Sequence, residues 1–395
     1  MTTIYADNAA TTQMSDTAYN AMLPLLKEIY GNPSSLHHIG QQAKEYLVDA
    51  RERVAKCINA ANPNEIYFTS GGSEADNQAI LSAAYAGAKK GKKHIISSKF
   101  EHHAVLHTLN KLEKEGFEIQ LLDVYSNGIV KVEDVKNAIR EDTALVTIMT
   151  ANNEVGSIQP IKEIGAVCHE KGVIFHTDAV QAVGHIPVDV QDMNIDMLSI
   201  SGHKFHGPKG VGVLYCKKGM PLESLINGGA QERGKRAGTE NMGAICGMAA
   251  ALEEAVQNLD KNMAYVSKLR DKIIDGVKDI DRCHINGDLE HRLPGTVNMS
   301  FEGIEGESLI LLLDQKGICS SSGSACTSGS LDPSHVLLAM GVPVENAHGS
   351  LRLSLCEYNT EEEVDVILDT IHQVVPYLRS ISPVWEKILK GEVIE

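Results

Sequence analysis

Between Glu65 and Cys216 the chain alternates short apolar or β-branched runs with stretches of helical spacing. The runs are Glu65–Thr69, His94–Ser98, Leu145–Thr150, Val173–Thr177, Met197–Ser201 and Val211–Cys216. Helices are expected between them, for example over Ser73–Lys90 and over Ile161–Lys171, the latter stopped by Gly172. Strands that alternate with helices build a mainly parallel sheet covered on both faces, because each helix returns the chain to the end where the last strand began. This predicts an α/β fold. Such sheets hold ligands beyond the carboxyl ends of their strands, so polar clusters that directly follow a strand share one rim.

At 395 residues the chain exceeds what one core usually organises, and a large domain with a smaller one attached is expected. The boundaries read as 15–256 for the large domain, with 1–14 and 257–395 forming the small one. A long helical stretch from Met242 to Val277 marks the passage, and a Gly/Ser-rich segment at 320–330 follows in the small domain. The turn-rich arm through Thr12 is expected to pack back against the rim or the small domain. The longest apolar block, Leu309–Leu313, is far short of the ~20 residues of a membrane span. The N-terminus lacks a basic segment followed by an apolar one, so a cytoplasmic location is the expectation. A formal net charge of -16 argues against nucleic acid as a partner, since that binding needs clustered Lys and Arg. Eight scattered cysteines without a C-x-x-C pair argue against structural disulfides and zinc ribbons.

Six segments carry chemistry. In Ser199–Gly210 a lysine, Lys204, sits among hydroxyl, imidazole and glycine groups directly after a predicted strand. It reads either as a solvated charge or as a Schiff-base lysine, with Ser201 and His203 placed to hold a phosphate. Asp178, in the segment Phe175–Gln181 at the end of an apolar strand, reads either as a helix N-cap or as the buried carboxylate that keeps a pyridine nitrogen protonated. Gly71-Gly72-Ser73 joins a strand to a helix whose first N–H groups suit an anion. His102 and His103 follow another strand. They are open to a metal reading, or His102 is a ring that stacks on a cofactor and carries protons. Cys326 lies among Ser, Gly, Ala and Thr in a loop, surroundings of a reactive thiol, whereas Cys319 beside an apolar run reads as core; a reversible disulfide between the two is the alternative. Arg352 interrupts an alternating strand, as a surface ion-pair partner or as a bidentate clamp for a carboxylate.

Taken together, these segments resemble the cysteine desulfurases of the NifS/IscS type, within the class V aminotransferase group of fold-type I pyridoxal 5'-phosphate (PLP) enzymes. The resemblance runs from Tyr5–Thr12 through Gly31–His37, Ala151–Gly156, Arg236–Asn241 and Ser322–Cys326 to Arg352. It implies a seven-stranded-type sheet between helices plus a smaller α+β domain. By the same resemblance Lys204 carries PLP covalently, His102 stacks on its ring, Asp178 meets the ring nitrogen and Gln181 the ring oxygen. Gly72, Ser73, Ser201 and His203 hold the phosphate, helped by Thr239 reaching over from a second subunit of a homodimer. Asn153 and Arg352, with Asn32 nearby, bind the substrate carboxylate and its surroundings. Cys326, on a mobile loop, takes sulfur from L-cysteine as a persulfide, leaving L-alanine. The sulfur then passes to an iron–sulfur cluster scaffold or another acceptor protein. The sequence departs from the family pattern at Ser73, where threonine is common, at Cys356, where glycine is expected, and at Cys319 beside the loop. An aminotransferase, which needs no nucleophilic thiol, a selenocysteine lyase, and a dimeric scaffold that hands on sulfur are the competing readings.

Overall fold

The computed structural model describes residues 3–322 and 333–390, so Cys326 and its Gly/Ser neighbours lie outside the described residues. In chain order the elements are β1 (Ile4–Tyr5), α1 (Asp16–Lys27), α2 (His38–Cys57), β2 (Ile66–Thr69), α3 (Gly72–Ala88), β3 (His94–Ser98), α4 (His103–Lys114), β4 (Glu118–Leu122), α5 (Val132–Ala138), β5 (Thr143–Thr147), α6 (Ile161–Lys171), β6 (Ile174–Asp178), β7 (Met197–Ser201) and β8 (Gly212–Cys216). A single turn, α7 (Gln231–Gly234), leads to α8 (Met242–Gln257) and α9 (Leu259–Gly276). Then come β9 (Cys283–Asn286), β10 (Thr296–Phe301), α10 (Gly306–Gln315), β11 (Ile318–Cys319), α11 (His335–Ala339), α12 (Val344–His348), β12 (Ser350–Ser354), α13 (Glu361–Ser380) and α14 (Pro383–Lys390).

Strands β2 to β8 form one seven-stranded sheet in the order β2-β8-β7-β6-β5-β3-β4. All neighbours are parallel except β8, which runs antiparallel to both β7 and β2. Because β8 alone is reversed, β2, β3, β5, β6 and β7 point their carboxyl ends to one rim. The central strands β3, β5, β7 and β8 are buried along their whole length, as a sheet covered on both faces requires. β4 was not among the expected runs. It is an edge strand whose Glu118, Ile119, Gln120 and Leu121 are partly or fully exposed, and its apolar signal is correspondingly thin.

A second core lies under the antiparallel sheet β12-β10-β9, packed by α9, α10 and α13. The expected single helical stretch Met242–Val277 is two helices. The Asn258 side chain donates to the Glu254 carbonyl at 2.9 Å, and its backbone ends one helix and starts the next. The N-terminal arm joins both sheets: β1 pairs with β11, the Asn8 side chain donates to the Ser354 carbonyl at 2.9 Å, and the Thr12 hydroxyl donates to the His203 carbonyl at 2.9 Å. No helix among the described residues is long and apolar enough to cross a membrane.

Candidate active site

The rim encloses a cavity of about 350 Å³ lined by Gly72, Ser73, His102, Asn153, Asp178, Gln181, Ser201, His203, Lys204 and Arg352, that is, by ten of the positions singled out from sequence. Six strands deliver them, among them Gly72 after β2, His102 after β3, Asn153 after β5, Asp178 from β6, Lys204 after β7 and Arg352 from the middle of β12. Two positions lie elsewhere. Asn32 is exposed, and its side chain accepts from the Ser34 N–H at 2.9 Å. Thr239 is exposed and lines a separate recess with Arg236 and Gly238.

At one end, α3 opens with Gly71 at its N-cap, a residue that offers no side chain to the first N–H groups. A Cβ on Gly72 would stand 2.6 Å from Val180 Cγ2, so the backbone approaches the segment just after β6 closely here because position 72 is glycine. Ser73, Ser201 and His203 surround this end. Burial, with the charges of Lys204 and Lys209, pushes His203 down to about 4, and its Nδ1 lies 3.1 Å from the Thr11 hydroxyl. A neutral, hydrogen-bonded imidazole beside uncapped N–H groups is a cradle for an anion.

Asp178 occupies the middle. It is buried, and its Oδ1 accepts the Val180 N–H at 2.9 Å. Asp76, from the second turn of α3, faces it, and one atom from each of Asp76, His102 and Asp178 falls within 4.8 Å of the others. Burial raises both carboxyls from their ordinary value, Asp76 well above it because Asp178 also repels it. His176 stands 3.7 Å from Asp76 Oδ1 but is pushed down to about 3 by burial, so it brings no positive charge. Asp76 Oδ1 is left buried without a hydrogen bond. Two adjacent buried acids with an unmet acceptor call for a positive N–H or a metal ion between them. The metal reading of His102 and the ring-nitrogen reading of Asp178 therefore converge on one spot. Asp76 was not singled out from sequence. Its only signal is an acid one helical turn after Gly72, on a helix that is otherwise largely Ala and Ile inward.

Lys204 ends the short turn after β7, and its Nζ donates to the carbonyls of Ala9 at 2.6 Å and Ala10 at 2.9 Å. Gln181 Nε2 donates to the same Ala9 carbonyl at 3.0 Å. The arm thus positions the lysine through backbone oxygens, a contribution that no side-chain pattern announces. His102 caps α4: its Nδ1 accepts the Ala104 N–H at 3.1 Å, which places the ring proton on Nε2. Behind it Glu101 is fully buried, accepts from Ser98 Oγ and the Met149 N–H, and is pushed up to about 8 by burial.

Arg352 is 2% exposed. Its Nη1 donates to the Asn153 carbonyl and its Nη2 to Asp7 Oδ1, both at 2.9 Å, while Nε is buried without a partner. The surface ion-pair reading of Arg352 is therefore replaced by a buried guanidinium with a donor in reserve. Cys319 is half-buried on β11 rather than in the core, and burial raises its thiol above the usual range. The cavity thus accepts an elongated group, with an anion at the α3 end, an N–H near Asp178, and a carbonyl within reach of the Lys204 amine.

Residues 4–367 match the family model described as aminotransferase class-V. A "Cysteine desulfurase IscS" from Clostridium botulinum is 54% identical over 98% of this chain and 98% of its own length. One of the same name from Methanosarcina thermophila is 52% identical over 97% and 95%. Among solved structures, a "NIFS-like protein" superposes with a TM-score of 0.90 at 42% identity, covering 95% of this chain and all of the other. One titled "SspA in complex with cysteine" reaches 0.79 at 36% identity over 91% of this chain and all of the other. The α/β architecture, the strand-end cavity and these matches along almost the whole length agree, and the chain belongs to the aminotransferase class-V family.

Proposed function

We infer that the chain is a PLP-dependent cysteine desulfurase, converting L-cysteine to L-alanine and supplying sulfur for iron–sulfur cluster assembly. The observation that carries this reading is the cavity in which Lys204, the Asp76–Asp178 pair and the α3 start face one another. The unmet Asp76 acceptor beside Asp178 fits a protonated ring nitrogen, and the uncapped α3 start fits a phosphate. Gly72, Ser73, Ser201 and His203 would hold the phosphate, His102 would lie against the ring, Gln181 would meet its oxygen and Lys204 would bind it covalently. Bound there, PLP supplies an electron sink for a carbanion at the substrate α-carbon.

The chain's own groups do the rest. Arg352 binds the substrate carboxylate, with Nε as the donor it still has to offer and Asn153 beside it. The Lys204 amine would be the base that removes the substrate α-proton. Cys326, as thiolate, attacks the substrate sulfur: the C–S bond breaks, its electron pair stays on carbon, and a persulfide remains on Cys326. Protonation of that carbon, together with return of a proton from Lys204 to the α-carbon, completes alanine. His102, with its proton on Nε2 facing the cavity, is the group placed to carry protons between substrate and thiol. A homodimer in which Thr239 reaches a second subunit's cavity accounts for its exposed place outside its own. The exposed Leu23, Leu26 and Tyr30 on and after α1 are the kind of apolar surface a partner subunit covers.

The test is alanine release from L-cysteine by the PLP-loaded protein, alongside Cys326→Ser. Alanine from the wild type and none from the variant, which still takes up PLP, is the expected result. A PLP-loaded wild type that yields no alanine from L-cysteine removes the reading and points to another amino-acid substrate such as selenocysteine.

A further inference from the structure

Besides the Asp76 group, the described residues hold one other convergence of metal-ligating side chains: His206, Cys356 and Glu357, whose ligand atoms lie within 4.8 Å of one another. His206 follows Lys204 by two residues in the turn after β7, and Cys356 and Glu357 follow β12. The three meet where the large sheet's rim faces the small antiparallel sheet, around a cavity of about 50 Å³, enough for a water or a single ion.

His206 Nδ1 lies 2.8 Å from the Gln13 carbonyl oxygen, to which only an N–H can donate, so Nε2 is the ring nitrogen turned toward Cys356 and Glu357; burial alone would push the imidazole down, but these two neighbours push it up to about 10, and in the metal-free protein Nε2 carries a proton. His206 is 5% exposed, and Nε2 is buried with no hydrogen bond; Glu357 Oε2 stands 3.4 Å from it. Glu357 is held in turn, its Oε1 accepting from Asn262 Nδ2 at 3.1 Å, and the Tyr358 ring packs on the imidazole with centroids 4.6 Å apart. Each of His206 and Glu357 thus turns one ligand atom inward, toward the other, while its remaining polar atom is fixed by an outer partner, the arrangement that orients ligands around a metal. Cys356 is buried and adds sulfur to this nitrogen and oxygen.

We propose that His206 Nε2, Cys356 Sγ and a Glu357 carboxylate oxygen bind one transition-metal ion of the zinc class, tying the turn after Lys204 to the chain after Arg352. One imidazole, one thiolate and one carboxylate are ligands zinc takes in tetrahedral sites, with the small cavity providing the fourth position. The thiolate selects against magnesium and calcium, which prefer all-oxygen sets. Cys356 coordinates as thiolate and His206 as neutral imidazole, and each releases its proton to solvent on binding. The residue is the one the family pattern would make glycine, so the site belongs to this chain rather than to the reaction. It stands independently of the desulfurase reading.

The test uses the full cofactor-loaded chain carrying Cys326→Ser, so that the loop thiol contributes nothing, stripped with a chelator and titrated with Co²⁺ and then Zn²⁺. One Co²⁺ per chain is expected, with the intense red-region absorption of a tetrahedral site, displaced by Zn²⁺ together with a rise in Tm. Adding Cys356→Ser should weaken binding by more than the roughly 10–100-fold that loss of an outer partner costs, and abolish the Tm rise. Cys356→Gly serves as the second variant in case the serine disturbs folding. Equal Co²⁺ uptake with and without Cys356 overturns the proposal, as does no uptake at all, His206 then being an imidazolium paired with Glu357.

Discussion

Glu232 and Asp76 are two carboxylates buried almost equally, at 5% and 1% exposure, yet the chain treats them in opposite ways. Glu232, in the turn α7, accepts two hydrogen bonds from Arg51, at 2.7 and 2.6 Å, and a third from the Phe68 N–H at 3.0 Å. Arg51 in turn donates to the Ile66 carbonyl and lies over the Phe68 ring. Every charge there is answered within the chain. Asp76 faces a second acid and a neutral histidine, and keeps an oxygen without a donor. The first arrangement is complete and holds β2 to the turn; the second is complete only when something else enters. Burial alone therefore does not separate structure from function, whereas the state of the partners does.

Four variants break or sharpen this contrast. Lys204→Ala, at the open site, should cut alanine formation by more than about 10⁴-fold, the scale of losing a covalent catalytic group, with unfolding by urea little changed. Glu232→Ala, at the closed site, should leave Arg51 buried and unanswered and cost about 3–5 kcal/mol in urea unfolding, with kcat per folded molecule retained. Should Glu232→Ala lose activity without losing stability, the contrast fails. Asp178→Asn should lower kcat/KM about 10²–10³-fold, the range for removing one preorganised electrostatic contact, without destabilising the cofactor-free protein.

Asp76→Asn is the smallest effect and carries a pH signature. The folded carboxyl is raised above its unfolded value, mainly by burial and then by Asp178. Its penalty on folding is thus absent below the ordinary carboxylate pKa and develops as pH rises through the raised one. The Tm advantage of Asp76→Asn in the cofactor-free protein should grow from pH 5 to pH 8 and shrink once PLP is bound. A flat difference over that range would show that Asp76 is matched by something within the chain.

The parts of the fold visible in the sequence are those where local pattern and final environment agree. The runs at His94–Ser98 and Met197–Ser201 are strands with those same bounds because both faces of each are buried, so every residue had to be compatible with the core. β4 escaped because an edge strand tolerates Glu118 and Gln120, and the break at Asn258 escaped because asparagine also occurs inside helices. In the site, glycine turns and the lysine segment announce themselves locally. Asp76 does not, since its partner Asp178 is a hundred positions away, and neither do the Ala9 and Ala10 carbonyls, which act through atoms every residue owns.

The arm that holds Lys204 and Arg352 is synthesised well before either, and its contacts with the small sheet are among the last to become possible. Asp7 meets Arg352, 345 positions later, and Asn8 meets Ser354, 346 positions later. At translation rates of about 5–20 residues per second, roughly 20–70 s separate the emergence of the two halves of the ion pair. Throughout that interval the large sheet can be assembled while the lysine lacks its finished surroundings. Catalytic competence is thus deferred until the small sheet is made, and a nascent chain cut off before residue 352 is expected to be folded in large part and inert.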